Sequence, residues 1–238
     1  MRIEFKCYPQ LEAILPKPVP AKRMTPEWLK SMPMVADDRD LGEEMPTVKQ
    51  CPPFIDAVTA GFMLLLPCDL RFSAGRFEWD WPEFPVDDYA VRTMPGSSPI
   101  AHHHPTQVVS SPLFTEDRLL IKFVNFWTIK MPPGYSLLFT HPFNRVELPF
   151  LTLTGIVDCD TYSDHFVHFP AAWTDDDFDG VLPKGTPVAQ AIPIQRESLD
   201  MDLAFDVMTG DEQQRANDVF RASRELPHHY RNVFRSKK

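Results

Sequence analysis

Apolar residues in the middle of the chain come in short runs, and where they alternate with polar residues they do so with a period of two. The clearest case is Phe77-Glu78-Trp79-Asp80-Trp81, in which aromatic and acidic side chains take turns as they do in a strand with one wet face. Phe62-Met63-Leu64-Leu65-Leu66 is continuously apolar and far short of the roughly twenty residues that a bilayer demands, so it reads as a buried strand. Cys68 to Phe72 continues it, and further strands are expected at 118–129, 135–140, 150–157, 165–169 and 187–194, each bounded by Pro, Gly or Asp. Helical signals are confined to three places. Thr25-Pro26-Glu27 offers an N-cap followed by proline at the first helical position, Cys51-Pro52-Pro53 opens a second short helix towards Val58, and Gly210 begins a stretch without Gly or Pro to Leu226. That last stretch carries Ala216, Val219, Phe220 and Ser223 at helical spacing. The predicted fold is mainly β: a barrel-like antiparallel core over 51–197, preceded by an irregular, proline-rich N-terminal arm over 1–50 and followed by one C-terminal helix and a basic tail over 198–238.

Composition narrows the function more than the fold. The 238 residues are 43% apolar, ample for a sizeable core. Twenty-five prolines against nine glycines mean that the chain turns by fixed rather than permissive φ. A net charge of −9 argues against general nucleic-acid binding, although Arg231 to Lys238 forms a basic tail on this acidic chain. The acidic stretch Asp37 to Glu44 is expected to be a solvated loop. Cys7, Cys51, Cys68 and Cys159 show no C-x-x-C spacing, and the first residues contain no apolar signal segment. Reduced thiols, a cytoplasmic location and no membrane span are therefore expected.

Three segments in series carry a resemblance. They are Met131-Pro132-Pro133-Gly134-Tyr135 through Phe139, Leu153-Thr154-Gly155-Ile156-Val157-Asp158-Cys159-Asp160-Thr161-Tyr162, and Pro183-Lys184-Gly185-Thr186-Pro187 through Gln190-Ala191-Ile192. In order and spacing, residues 130–195 resemble the dUTPase and dCTP deaminase superfamily of β-clip proteins. The resemblance implies a β-clip form for the core, a homotrimer with sites between subunits, and a nucleotide or other phosphorylated, ring-bearing small molecule as ligand. It places Asp158 at the position of the family's water-activating carboxylate and Tyr162 at that of the aromatic residue under base and sugar. Asp160 and Gln190, in the same segments, become further candidate ligand-binding residues. This chain departs from the pattern in three respects: His141-Pro142-Phe143-Asn144-Arg145 stands where the family has an Arg-Ser-Gly phosphate turn, Thr161 is inserted between Asp158 and Tyr162, and the glycine-rich closing arm is replaced by the helix and basic tail. Pro142 also removes a backbone N–H of the kind a phosphate cradle uses. Over its whole length, including the Trp28-Leu29-Lys30 and Lys49 to Phe54 segments, the chain is also similar to an uncharacterised family of bacterial and phage proteins, which implies no activity.

Histidines suggest a second chemistry. His102, His104 and His141 on a β scaffold are the candidate ligands of a divalent metal, as in non-haem oxygenases. His165 and His168, if both lie in one strand, point to opposite faces. His141 and Arg145 also fit the first reading, His141 as catalytic acid or base beside Asp158 and Arg145 holding an anionic group, unless Arg145 pairs with Asp158 or Glu147 to pin the turn. No G-x-S-x-G, P-loop, G-x-G-x-x-G or zinc-deaminase signature is present. Three classes stay open: a β-clip small-molecule enzyme or binder, a histidine-dependent metalloenzyme, and a non-catalytic interaction module.

Overall fold

Frequent prolines and short apolar runs produce strands of two to nine residues. The computed structural model describes residues 1–38, 40, 42–81, 98–112, 119–226 and 228–236; Arg39, Arg118 and the last two lysines of the basic tail lie outside the described residues. In chain order the elements are β1 (Glu4–Lys6), β2 (Val19–Pro20), α1 (Glu27–Ser31), β3 (Val35–Asp38), β4 (Glu43–Pro46), α2 (Pro52–Thr59), β5 (Phe62–Leu65), β6 (Leu70–Ser73) and β7 (Arg76–Trp79). They continue with β8 (Ile100–His102), β9 (Leu120–Phe123), β10 (Thr128–Lys130), β11 (Tyr135–Thr140), β12 (Phe150–Thr152), β13 (Gly155–Val157), β14 (Phe169–Trp173), β15 (Gly180–Leu182), β16 (Pro187–Gln195) and α3 (Gly210–Glu225). No helix among the described residues is long and apolar enough to cross a membrane, and all four cysteines are free.

The fold is mainly β and antiparallel. The larger of two compact units, residues 1–31 and 57–199, holds a five-stranded sheet in the order β13-β11-β16-β5-β2 and a four-stranded sheet in the order β12-β14-β9-β8. A three-stranded sheet, β15-β6-β7, and the pair β1-β10 complete it. β16 is the middle strand of its sheet, pairing with β11 from Tyr135↔Gln195 to Thr140↔Gln190 and with β5 at Gln190↔Met63 and Ala191↔Phe62. Leu64, Leu137, Phe139, Ala189 and Ala191 of this sheet meet Ile121, Phe123, Phe150, Phe169 and Trp173 of the four-stranded sheet in one core. Trp173 lies at its aromatic centre, with ring centroids 4.7 Å from Phe72, 5.0 Å from Phe77 and 5.7 Å from Phe178. Burying side chains of this size stabilises the fold by about 1.5–3 kcal/mol each, so this cluster is the main reason the sheets close on one another.

Gly61, just before β5, is required by two facts together. Its φ is +65°, and a Cβ there would stand 1.9 Å from the Ala191 carbonyl oxygen of β16. Only hydrogen fits between the two backbones.

Several expected elements are displaced, each for a local reason. The run 118–129 is split, because the Asn125 side chain donates to the Trp127 carbonyl at 2.7 Å and accepts from the Trp127 N–H at 3.0 Å, bending the chain between β9 and β10. The run 150–157 divides at Leu153-Thr154 into β12 and β13, which belong to different sheets. The strand expected at 165–169 begins only at Phe169, and β14 continues through Pro170 to Trp173. β15 was hidden by its Asp and Gly neighbours. In the second unit, residues 32–56 and 200–238, the acidic stretch forms not a loop but an exposed hairpin, β3 with β4, from Val35↔Pro46 to Asp38↔Glu43. α3 starts on a capping box, the Thr209 hydroxyl facing the Glu212 N–H and the Glu212 carboxylate accepting from the Thr209 N–H at 2.7 Å. Arg235 pairs with Asp56 at 2.6 Å.

Candidate functional site

Strand register gathers the polar residues of the five-stranded sheet at one end. Leu137 of β11 faces Val157 of β13, so Asp158, the next residue, falls beside Ser136; Tyr135 faces Gln195 of β16, so Arg196 falls opposite Gly134, whose carbonyl accepts its N–H at 2.9 Å, and its side chain reaches back to Ser136. The Ser136 hydroxyl donates to Asp158 Oδ1 at 2.6 Å. Arg196 Nε lies 3.2 Å from that hydroxyl and 3.3 Å from Asp158 Oδ1, while its Nη2 donates to Asp160. Asp160 also accepts the Gly134 N–H at 2.9 Å. Desolvation pushes the Asp160 carboxyl up, but the Gly134 N–H, the Arg196 guanidinium and the Thr161 N–H together outweigh it and hold the group below the usual carboxylate range.

Beyond Asp158, after the edge strand β13, the chain makes a tight turn in which the N–H groups of Thr161 and Tyr162 both donate to the Asp158 carbonyl, at 3.0 and 2.8 Å. This turn brings the Tyr162 ring out over His165, the two stacked with centroids 4.4 Å apart and planes 17° from parallel. Tyr162 is 44% exposed and the Asp158 side chain 54%. One end of the sheet therefore carries an oriented carboxylate, a guanidinium between two acids and a half-exposed tyrosine whose ring stacks on His165.

The other site candidates of the sequence lie apart from this cluster in what they do. Gln190 is completely buried; its carbonyl accepts the Phe143 N–H at 2.9 Å, and its amide donates to the Ala57 and Ala60 carbonyls at 3.0 and 2.7 Å. Its polar groups are consumed by the fold. His141 uses both ring nitrogens: Nδ1 accepts the Thr152 N–H at 3.3 Å and Nε2 donates to the Arg145 carbonyl at 3.1 Å. That pattern fixes the neutral tautomer, and desolvation pushes the imidazole below its ordinary value, though the Arg145 carbonyl and Glu147 oppose it. Arg145, with 11% of its side chain exposed, pairs with Glu147 at 3.2 Å and donates to the Met24 carbonyl. It pins the turn.

His102 and His104 lie near one another, ring centroids 6.2 Å apart, with His104 Nδ1 2.7 Å from the Thr106 hydroxyl. Among the described residues no three His, Cys, Asp or Glu side chains stand close enough to hold a metal ion. His165 and His168 precede β14 and lie outside any strand; His168 accepts the Asn125 N–H at 3.2 Å. Clefts lie elsewhere. One of about 620 Å³ is walled by Phe5, Pro9, Pro18 and Trp127 with Lys6 and Lys17 at its lining, and another of about 380 Å³ by Cys68, Asp69, Trp81 and Lys184. Neither touches the Asp158 cluster.

Arg196, Ser136 and His165 were not legible as members of this site. Arg196 lies 36 positions from its partner Asp160 and 60 from Ser136, so only strand pairing unites them. The available signal was the expected strand 187–194, whose end places the next arginine at a sheet corner.

The chain matches no protein-family profile and no curated protein. Among solved structures, the native dUTPase of EIAV aligns over 87% of this chain and 99% of that one, at 12% identity and a TM-score of 0.34.

Proposed function

We propose that this chain is a homo-oligomeric small-molecule enzyme or binder that takes a ring-bearing, hydroxylated ligand of the nucleotide class at the Asp158–Tyr162 turn. The observation that carries the reading is the exposed Asp158 carboxylate, oriented by Ser136 and Arg196 and joined through one turn to the half-exposed Tyr162 stacked on His165. A planar ring lies on Tyr162 while Asp158 accepts a ligand hydroxyl or orients a water. Arg196 is already shared between two carboxylates, so the residues of this cluster address the ring and hydroxyl end of the ligand rather than its phosphates. In this reading Asp158 and Tyr162 take the roles that the resemblance implies, whereas Asp160 holds Arg196 instead of touching the ligand. His141, Arg145 and Gln190 support the sheet beneath.

Thermal stability and titration calorimetry with nucleosides and nucleotides test this, since a ligand that binds only the folded state raises its stability. Tyr162→Ala is expected to weaken binding about tenfold, the loss of one ring stack, and Asp158→Asn at least as much. Both variants should melt within a few degrees of the parent. If no nucleoside or nucleotide at millimolar concentration shifts the melting temperature, or if both variants bind as the parent does, the reading fails. Stoichiometric iron, copper or zinc in untagged protein would instead favour the metalloenzyme class.

A further inference from the structure

Every residue from Asp200 to Arg221 is exposed, and α3 buries none of its side chains. The segment nonetheless carries large apolar side chains in the open, Leu203, Phe205, Val207, Val219 and Phe220 among them. Phe205 is 90% and Val207 86% exposed, and they belong to a stretch outside any helix or strand, Met201-Asp202-Leu203-Ala204-Phe205-Asp206-Val207, in which large apolar side chains recur at every second position. In α3 a stripe of Ala216, Val219, Phe220 and Ser223 continues to Leu226 on one face, and Val219, Phe220 and Leu226 are all exposed. Sixteen residues of helix with a good cap remain marginal in water without tertiary packing. Something covers this face.

Charge identifies what. From Asp200 to Gln214 there are five carboxylates and no basic residue; from Arg215 to Ser236 there are five arginines and two carboxylates. A segment negative at one end and positive at the other is complementary to itself when turned end for end, which is the relation a two-fold axis imposes. Helical geometry agrees. Ala216, Val219, Phe220 and Ser223 fall within about 100° of one another around α3, so an antiparallel pair can set Phe220 against the partner's Ala216. Each contact then occurs twice.

We propose that residues 200–234 form a copy-to-copy interface in which two α3 helices pack antiparallel about a two-fold axis. The inference does not depend on the ligand proposed above, and it adds an even-numbered contact to whatever assembly the β core makes: a dimer, or a hexamer where trimers pair.

Sedimentation of the full-length protein at micromolar concentration, with circular dichroism to confirm folding, provides the test. The parent is expected as a dimer or hexamer. Phe220→Asp should halve the assembly or raise its dissociation constant at least tenfold, while Arg221→Glu, on the opposite face of α3, should leave it unchanged. Raising the salt from about 50 to about 500 mM should weaken the assembly, because it screens the attraction between the acidic and basic halves. A parent that sediments as a monomer or as a trimer, an assembly indifferent to Phe220→Asp, or one that salt leaves unweakened would each overturn the proposal.

Discussion

His141, a catalytic candidate in the sequence, has both of its ring nitrogens bonded to backbone groups. Accepting from Thr152 and donating to Arg145, the ring ties the start of one loop to β12 and closes the turn that Arg145 and Glu147 finish. His141→Ala leaves a peptide N–H and a carbonyl to find other partners, and should cost about 1–3 kcal/mol in urea unfolding. It should leave ligand binding at Asp158 unaltered. Burial also pushes His103 and His168 below the ordinary histidine value, with the Lys122 charge adding to both. All three imidazoles are thus held neutral in the folded state and bind protons more readily when unfolded. Their contribution to stability is complete above about pH 6.5 and is lost as the pH falls from there through the lowered folded values. Urea midpoints measured from pH 7.5 down to 5 should decline, with a shallower decline in His141→Ala. The sequence drew attention to His141 and Arg145 because they flank a proline turn after a core strand, and to Gln190 because of the segment around it. It could not show that the buried partners of these side chains were backbone groups, 47 to 133 positions away in the case of Gln190.

Among elements, the five-stranded sheet was the most legible: the runs expected at 61–66, 135–140 and 187–194 are β5, β11 and β16 almost residue for residue. Uninterrupted apolar runs between Pro and Gly state their strand character locally. What failed to show was any break made by a side chain bonding its own loop, as Asn125 does, or the true bounds of β14, which begins only at Phe169. Gly61 belongs to this scale, since it governs how closely two elements approach. Gly61→Ala puts a methyl group inside the Ala191 carbonyl and demands a left-handed φ from alanine. The expected loss is about 2–4 kcal/mol, from strain at the special φ and displacement of the neighbouring strand. A melting temperature within a degree or two of the parent would show that β5 and β16 can part here more easily than their register implies. Because Gln190 and Ala191 are consecutive, such a displacement should also loosen the amide that holds Ala57 and Ala60.

For the molecule as a whole, the central position of β16 dictates the order of events during synthesis. β5 and β11 are not neighbours; each pairs with β16, and β16 leaves the ribosome after both. Until Gln195 has emerged, the growing chain carries two apolar strands, Phe62–Leu65 and Tyr135–Thr140, whose facing edges have nothing between them. Sheets built from such distant segments close slowly, and open apolar edges are templates for pairing with other chains. Chains cut before Pro187 should therefore aggregate, visible as loss from the soluble fraction on expression. Chains cut just after Leu199, which retain every strand of the larger unit, should stay soluble. Nascent chains of this protein thus pass through an exposed interval of more than fifty codons between β11 and the end of β16, and slow translation over that stretch, or a shortage of chaperones able to shield it, would lower the yield of folded protein without changing a single native contact.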